Sequence, residues 1–284
     1  MSVQGAARWL LAIGVALLGL HWYPARWSGS ALVHDLYANL STSLLSISIT
    51  VLLIDRLYEQ RDARQLRKRL IWEMGSTDQA IATRATKELR DAKWLADGSL
   101  READLVLANL EGARLGGADL ARADLTSANL AATDLTRTTL DGAVLDGCAA
   151  ARANFKGARL VGARLKGARM TGANFDDADL SGEVDLLTAS LDDTSFRGAV
   201  LTGARLEEAD LLNCDLSHAD LSEAVLHRAN LDQVDLTGAN LERADLLEVE
   251  NWRAIRSVTG ARVSGLRNAP AGFRTWALQN GAVE

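Results

Sequence analysis

The stretch ANLEGARLGGADLARADL (residues 108–125) repeats a small residue, a polar residue and a leucine at every fifth position. A helix repeats every 3.6 residues and a strand every 2, so neither can carry this pattern as one continuous element. Self-similarity at a short period indicates a solenoid, in which each unit buries one face against its neighbours. If the leucine and the small residue face inward, the residue between them faces outward and the remaining two form a corner. Counted on its central residue from Leu105 to Leu246, the chain holds 29 such pentads.

The segments ANLEG, ADLAR, ADLTS and ANLER match the A-(D/N)-L-x-x pattern of the pentapeptide-repeat family, which this chain resembles over about half its length. The resemblance implies a mainly β fold, a right-handed quadrilateral β-helix with four pentads per coil and about seven coils. At the ~4.8 Å spacing of paired strands, seven coils would make a rod ~35 Å long. The flanks MGSTDQAIATRATKELRDAKWLADGSL and LRNAPAGFRTWALQNGAVE resemble the lead-in and the C-terminal cap of membrane-anchored members.

Four pentads per coil predict that residues 20 apart stack on one another. The frame is unbroken from Leu105 to Leu180, slips by one residue through SGEVDLL (181–187) and resumes at Leu186. If the extra residue forms a bulge, the phenylalanines of the repeats fall on one side in consecutive coils. The sequence therefore predicts a core ladder of Phe155, Phe175 and Phe196.

Two apolar segments precede the repeats: RWLLAIGVALLGLHWY (8–23) and LYANLSTSLLSISITVLLI (36–54). The second has 19 residues without a charge, close to the ~20 that a helix needs to cross the hydrocarbon core. Together they predict a transmembrane helical hairpin over residues 1–55. A cleaved signal peptide is the alternative, but it is disfavoured by the lack of an A-x-A site and by the span that follows directly.

A basic cluster after the second span, from Arg56 to Arg69, predicts that this span ends on the cytoplasmic side. The localisation expected is a multi-pass membrane protein of a bacterial inner membrane, with the repeats in the cytoplasm. Small residues four apart in a span let helices pack closely. We expect such a stripe to pack the two spans together, with a homo-oligomer as the alternative; its members are Ala38, Thr42, Ser46 and Thr50.

Residues 56–96 are predicted to form a helical neck and N-terminal cap, followed by the β-helix over residues 97–250. Gly75 ends the first neck helix, and STDQ (76–79) has the form of a capping box with Ser76 as N-cap and Gln79 at N3. Residues 251–284 are predicted to form a C-terminal cap with a short helix.

The sequence contains no phosphate loop, dinucleotide-binding motif or metal-ligand spacing, so we predict no enzyme activity, cofactor or metal site. Cys148 and Cys214 take the inward small position on different sides, too far apart to form a disulfide. We expect both to be buried and inert. His218 and His227 occupy outward corner positions and are expected to be solvated.

Charge patterning is the remaining functional signal. Residues 151–170 carry six basic residues and no acid, whereas residues 186–250 carry 14 acids and 4 bases. We name the basic set the girdle and consider it either a docking surface or a solvated surface of weak ion pairs. Its members are Arg152, Lys156, Arg159, Arg164, Lys166 and Arg169.

Two functions fit this organisation. The first is a non-enzymatic, membrane-tethered scaffold whose rigid rod contacts an unidentified, membrane-associated protein, without direct nucleic-acid binding. The second is DNA mimicry, which some members of the resembled family use to occupy a type II topoisomerase. An acidic rod suits mimicry, but the girdle interrupts the acidic surface and a bilayer anchor is a poor place from which to protect a chromosomal enzyme.

Overall fold

The computed structural model describes residues 3–21 and 31–284, with side chains described for residues 5–17, 19 and 39–284. The helices are α1 (Val3–His21), α2 (Ala31–Met74), α3 (Gln79–Asp91) and α4 (Phe273–Gln279), with a 3₁₀ turn at Trp252–Ala254. The chain divides into two compact units, residues 1–66 and 67–284. The predicted four-part division is finer than this, and the predicted turn between the spans lies outside the described residues.

In the first unit, α1 and α2 approach each other at Gly14. A Cβ atom there would lie 3.1 Å from Leu45 Cγ, so the absence of a side chain permits the close approach. On α2, Ser41 and Ser48 are fully buried, and Ser48 Oγ donates to the Leu44 carbonyl at 2.6 Å. The packing face of α2 therefore follows residues 41, 45 and 48.

The predicted small-residue stripe is not this packing face. Thr42, Ser46 and Thr50 are exposed in the unit, and Ala38 lies outside the described side chains. Thr50 Oγ1 instead donates to the Ser46 carbonyl of its own helix at 2.8 Å. The expectation that this stripe packs the two spans together is wrong, because Thr42 and Ser46 each lie one residue, about 100°, beyond a packing residue, and Thr50 lies two residues, about 200°, beyond Ser48.

Only one of the helices in the described residues is long and apolar enough to cross a membrane: Asn39–Met74, with a mean hydropathy of 1.5 in its best window. The apolar part of α1 among these residues, Gly5–Leu17, is shorter than a span requires. Among the described residues there is thus one candidate span where two were predicted, and a single apolar helix only weakly suggests membrane association.

In the second unit, α3 starts later than the predicted capping box requires. Asp78 is the N-cap, and its Oδ1 accepts from the Ala80 N–H at 2.8 Å. Ser76 Oγ accepts from the Asp78 N–H at 3.1 Å, outside the helix. Gln79 is thereby the first helical residue, and its Nε2 donates to the Glu111 carbonyl at 3.2 Å. The prediction failed because an aspartate two residues on is an equally good cap.

The neck covers the N-terminal edge of the repeats. Leu70 and Met74 at the end of α2 and Leu89 on α3 are almost fully buried in the same hydrophobic core as the repeat leucines. The Asn109 N–H donates to the Ser76 carbonyl at 2.8 Å. The edge that an open solenoid would expose is partly paired here.

The repeats form four columns of parallel bridges, which start at Asp104, Asn109, Arg114 and Asp119. Each of these residues is bridged to the residue 20 positions later, so one coil has four sides and four pentads, as predicted. Each side contributes a single bridged residue, because two of every five residues turn the corner. The mainly β prediction is thus met by backbone pairing between coils, without a regular strand in the described residues.

The β-helix is longer than predicted. The column of bridges that begins at Asp104 contains nine bridged residues and ends at Arg267, so about eight coils stack over ~38 Å. After the 3₁₀ turn, Val258 and Val263 take the inward positions that leucine holds elsewhere, and both are buried. The predicted cap at 251–284 therefore begins with a further coil, which the leucine pattern did not reveal.

The register slip is an enlarged corner. The bridge spacing becomes 21 from Arg164↔Asp185 to Asp179↔Val200 and returns to 20 at Asp185↔Arg205. Gly182 and Glu183 both take positive φ values, +73° and +60°, so the corner absorbs the extra residue without disturbing the core. The phenylalanines stack as predicted: Phe155 and Phe175 have ring centroids 4.4 Å apart, and Phe175 and Phe196 are 5.1 Å apart.

Deleting Gly182 should preserve the fold, because Glu183 already has the left-handed conformation that the second corner position needs. We expect the melting temperature to change by less than about 5 °C. Deleting Gly162, one coil earlier at the equivalent corner, is the matched control. That deletion makes a 19-residue coil, moves every later leucine out of step and should abolish cooperative unfolding by circular dichroism. Equal damage from both deletions would contradict the assigned register.

A fragment of residues 67–284 should fold alone, because it contains the whole second unit. A fragment of residues 76–284 lacks Leu70 and Met74, which the core buries. At about 1.5–3 kcal/mol for each buried side chain, the shorter fragment should be less stable by ~3–6 kcal/mol in urea unfolding. Equal unfolding free energies would show that the end of α2 does not belong to this core.

Candidate docking surface

Many outward carboxylates of the repeats are used by the backbone. Asp124 Oδ1 accepts from the Thr126 N–H at 2.9 Å, and Asp215 Oδ1 accepts from the Ser217 N–H at the same distance. Such Asx turns satisfy a corner N–H that would otherwise need water. These aspartates therefore support the corner that follows them, and their number overstates the acid available to a partner.

At two basic outward positions, Arg159 and Arg164, a carboxylate of the preceding coil takes over this role. Asp141 Oδ1 accepts from the Val161 N–H at 3.2 Å, and Asp146 Oδ1 accepts from the Lys166 N–H at 3.1 Å. Both aspartates also form ion pairs with girdle arginines. The sequence pattern does not single out Asp141 and Asp146, although each lies 18 positions before the arginine it pairs with.

Three of the six girdle cations are paired. Arg159 lies 2.8 Å from Asp141, Arg164 pairs with Asp146, and Lys156 Nζ lies 3.6 Å from Asp177. The hydrogen bonds to Asp141 raise the pKa of the Arg159 guanidinium. These exposed pairs contribute little to stability individually, but they do reduce the local positive charge.

The other three girdle cations have no carboxylate within 4.0 Å among the side chains described for residues 5–17, 19 and 39–284. Arg169 is bridged between Ala149 and Ser190, neither of which carries a charge. Lys166 lies at the corner before this side of the coil, and Arg152 lies at the corner after the same side one coil earlier. We name these three exposed residues the unpaired-cation patch.

Two girdle arginines form ion pairs with carboxylates other than those to which they are bridged. Arg159 is bridged to Asp179 and Arg164 to Asp185, as the spacing requires, but each arginine turns diagonally to the preceding coil. Asp179 is already held by Ser181, whose N–H and hydroxyl donate to Asp179 Oδ1 at 3.1 and 2.6 Å. Asp179 therefore supports its own corner, and Arg159 pairs with Asp141 instead.

The two cysteines at inward positions are unreactive. Burial raises the pKa of the Cys148 thiol to about 12 and also raises that of Cys214. Both cysteines are free and buried, so they remain protonated near neutral pH. Among the described residues there is no group of three or more His, Cys, Asp or Glu side chains that could hold a metal ion.

His227 is less exposed to solvent than predicted. Its Nε2 lies 3.2 Å from Asp245 Oδ1, and Asn268 Nδ2 donates to both oxygens of Asp245 at 3.0 Å. Burial acts to raise the pKa of Asp245, but the hydrogen bonds from Asn268 and the Leu247 N–H, together with the nearby His227 imidazole, outweigh it and hold that pKa below its usual value.

The model of the family described as pentapeptide repeats matches eight copies in this chain, over residues 103–142, 151–182, 185–217 and 209–246. The chain belongs to the pentapeptide-repeat family. Pentapeptide-repeat proteins are in general non-catalytic structural or interaction proteins. No curated protein matches the chain.

Several solved structures of pentapeptide-repeat proteins are similar. HetL from the cyanobacterium Nostoc sp. strain PCC 7120, involved in heterocyst differentiation regulation, is 29% identical over 59% of this chain and 84% of its own, with a TM-score of 0.43. QnrB1, a plasmid-mediated fluoroquinolone resistance protein, is 18% identical over 64% of this chain and 95% of its own, also at 0.43. A thylakoid-lumen protein from Arabidopsis thaliana is 26% identical over 48% of this chain and 85% of its own, at 0.17.

Asp245→Asn should destabilise the second unit at pH 6 by about 1–3 kcal/mol, because a partly buried set of charge-assisted hydrogen bonds is lost. The lowered pKa of Asp245 contributes stability above the unfolded value near ~4, and this contribution is lost as the pH falls through the folded pKa. The difference in unfolding free energy between the native protein and the variant, measured with urea, should therefore become smaller by pH 3. Asp91→Asn, at an exposed helix end, is the control, with an expected change below ~0.5 kcal/mol. A gap independent of pH would contradict this assignment.

Proposed function

We propose that this pentapeptide-repeat protein is a membrane-tethered, non-enzymatic scaffold whose repeats contact a membrane-associated protein in the cytoplasm. The apolar helix within α2 supports the tether, and the basic residues after it support a cytoplasmic exit by the positive-inside rule. In this proposal α1 is also a span, and α1 and α2 together form a transmembrane hairpin of a bacterial inner membrane. No cofactor or direct nucleic-acid contact is part of it.

The observation that carries the proposal is the fixed register of the outward side chains. Bridges link every side of the coil from Asp104 to Arg267, so each outward residue has a set neighbour above and below it. A surface fixed by backbone hydrogen bonds loses little conformational entropy when a partner binds. This is the property expected of a rigid docking surface.

Tethering adds effective concentration. A membrane anchor confines the repeats to the layer where a membrane-associated partner is found, and this raises apparent affinity without a new contact. Confinement suits a surface whose individual charged contacts are weak and screened by salt.

DNA mimicry of a type II topoisomerase substrate is the alternative. The 14 acids of residues 186–250 favour it, but several of these carboxylates accept corner N–H bonds and the girdle interrupts the acidic surface. A mimic would act without a bilayer, so the two functions differ in what happens when the tether is removed.

The test compares the full chain with the fragment of residues 67–284, expressed at equal levels in the native host. A photo-crosslinking residue replaces Ser190, which lies on the side of Arg169. The full chain should give a defined membrane-protein adduct, and the fragment should give at least ~10-fold less of it. A crosslinker in place of Asn240, two columns away, controls for random collision.

The opposite pattern would overturn the scaffold. It would consist of equal adducts from both forms, together with inhibition of supercoiling by the purified fragment at least as strong as that by the full chain. In that case the rod acts as a soluble acidic mimic and the tether is dispensable.

A further inference from the structure

We propose that the unpaired-cation patch, Arg152, Lys166 and Arg169, binds a short acidic peptide segment of the partner. This inference rests on the proposed function and narrows it, because it selects three of the six girdle cations and specifies the chemistry that they recognise. The selection comes from ion pairing, which the sequence pattern does not reveal.

The three cations lie on one side of the coil. Arg169 occupies the bridged position of that side, with Lys166 three residues before it at the adjoining corner. Arg152 belongs to the coil before, and a Cβ at Gly172 would lie 3.7 Å from Arg152 Cγ. The stem of Arg152 thus extends over the glycine of the next coil, toward the level of Arg169. The patch spans about one coil spacing, ~4.8 Å, along the rod.

The carboxylates that border the patch are already engaged. Asp146 accepts from the Lys166 N–H and pairs with Arg164. Asp192, in the coil beyond, accepts from Ser190 Oγ at 3.0 Å and from Thr171 Oγ1 at 3.4 Å. Neither carboxylate pairs with a patch cation, so a partner must supply the counter-charges.

The backbone around the patch favours carboxylates over phosphate groups. Phosphate sites use free backbone N–H groups, but the Lys166 N–H is given to Asp146, and the N–H of Arg152 is given to the Thr171 carbonyl at 3.0 Å. The Gly172 N–H likewise donates to the Asp192 carbonyl at 2.8 Å. What remains are side-chain cations, two of which are guanidinium forks that match carboxylates.

The extent of the patch favours a short segment over an extended anionic surface. Residues 97–250 carry 14 basic and 28 acidic residues, a net charge of 14 − 28 = −14, so acid lies along the rod on both sides of the girdle. A bilayer or a nucleic-acid duplex would have to lie along these acids, which repel it. A peptide with a few consecutive acids can occupy the patch alone.

The test uses the full chain in uncharged detergent micelles and a fluorescein-labelled octaglutamate peptide, followed by fluorescence anisotropy at low and high salt. The triple variant Arg152→Gln, Lys166→Gln, Arg169→Gln should bind the peptide at least ~10-fold more weakly. The matched control Lys156→Gln, Arg159→Gln, Arg164→Gln removes the same formal charge from the paired half of the girdle and should change binding less than ~3-fold. All six positions are exposed, and thermal unfolding checks that both variants remain folded.

Equal weakening by the two triple variants would overturn the patch, because net charge alone would then explain the binding. So would a native chain that ignores the peptide but binds phosphatidylglycerol vesicles through these three residues, measured with the fragment of residues 67–284. If the peptide-binding test fails but the tether-dependent adduct forms, the scaffold function is retained and the patch is rejected. Peptide binding without any tether-dependent adduct rejects the scaffold and retains the patch.

Discussion

The backbone hydrogen bonds between successive coils are the constraint on which the rest of the second unit depends. From Leu105 to Leu246, each leucine at the central position of a pentad donates its N–H to a carbonyl of the next coil, as Leu105 does to Asp124 at 2.8 Å. This ladder requires a left-handed residue at the second position of each corner, such as Leu107 at φ +60°. That conformation is unfavourable for a residue with a side chain, so the pairing and the buried leucines must outweigh the strain at each corner where this position is not glycine.

Because the ladder fixes where each outward side chain lies, polar residues there serve the backbone before they serve a partner. Asp141 and Asp146 each satisfy a corner N–H of the following coil and neutralise an arginine of that coil. Acid counts from the sequence therefore overstate the charge that a partner meets. The positions of such carboxylates also divide the girdle into three paired and three unpaired cations, a division that the spacing of the basic residues does not reveal.

Features that depend on period could be predicted from the sequence. The five-residue period and the slip near Gly182 follow from keeping leucines in step, and the four pentads per coil that the family resemblance implies then place the three phenylalanines in one stack. Features that depend on competition between equivalent groups could not. Asp78 caps α3 instead of Ser76, and Arg159 pairs with Asp141, 18 residues before it, instead of Asp179, 20 residues after it, because side-chain conformers decide between such partners. The further coil escaped because valine replaced leucine, and the packing face of α2 depends on Gly14 of another helix.

Screening by salt sets the distance over which the three unpaired cations of the acidic rod attract a ligand. At physiological ionic strength the Debye length is ~8 Å, less than two coil spacings of ~4.8 Å. A ligand at the patch therefore responds mainly to Arg152, Lys166 and Arg169, while the acids of the later coils act only on groups that extend toward them. Local attraction bounded by repulsion favours a compact acidic segment in one orientation and disfavours a long one. Such a surface distinguishes ligands by the length of their charge as well as by its sign, and it can do so only because the ladder holds both regions at a fixed separation.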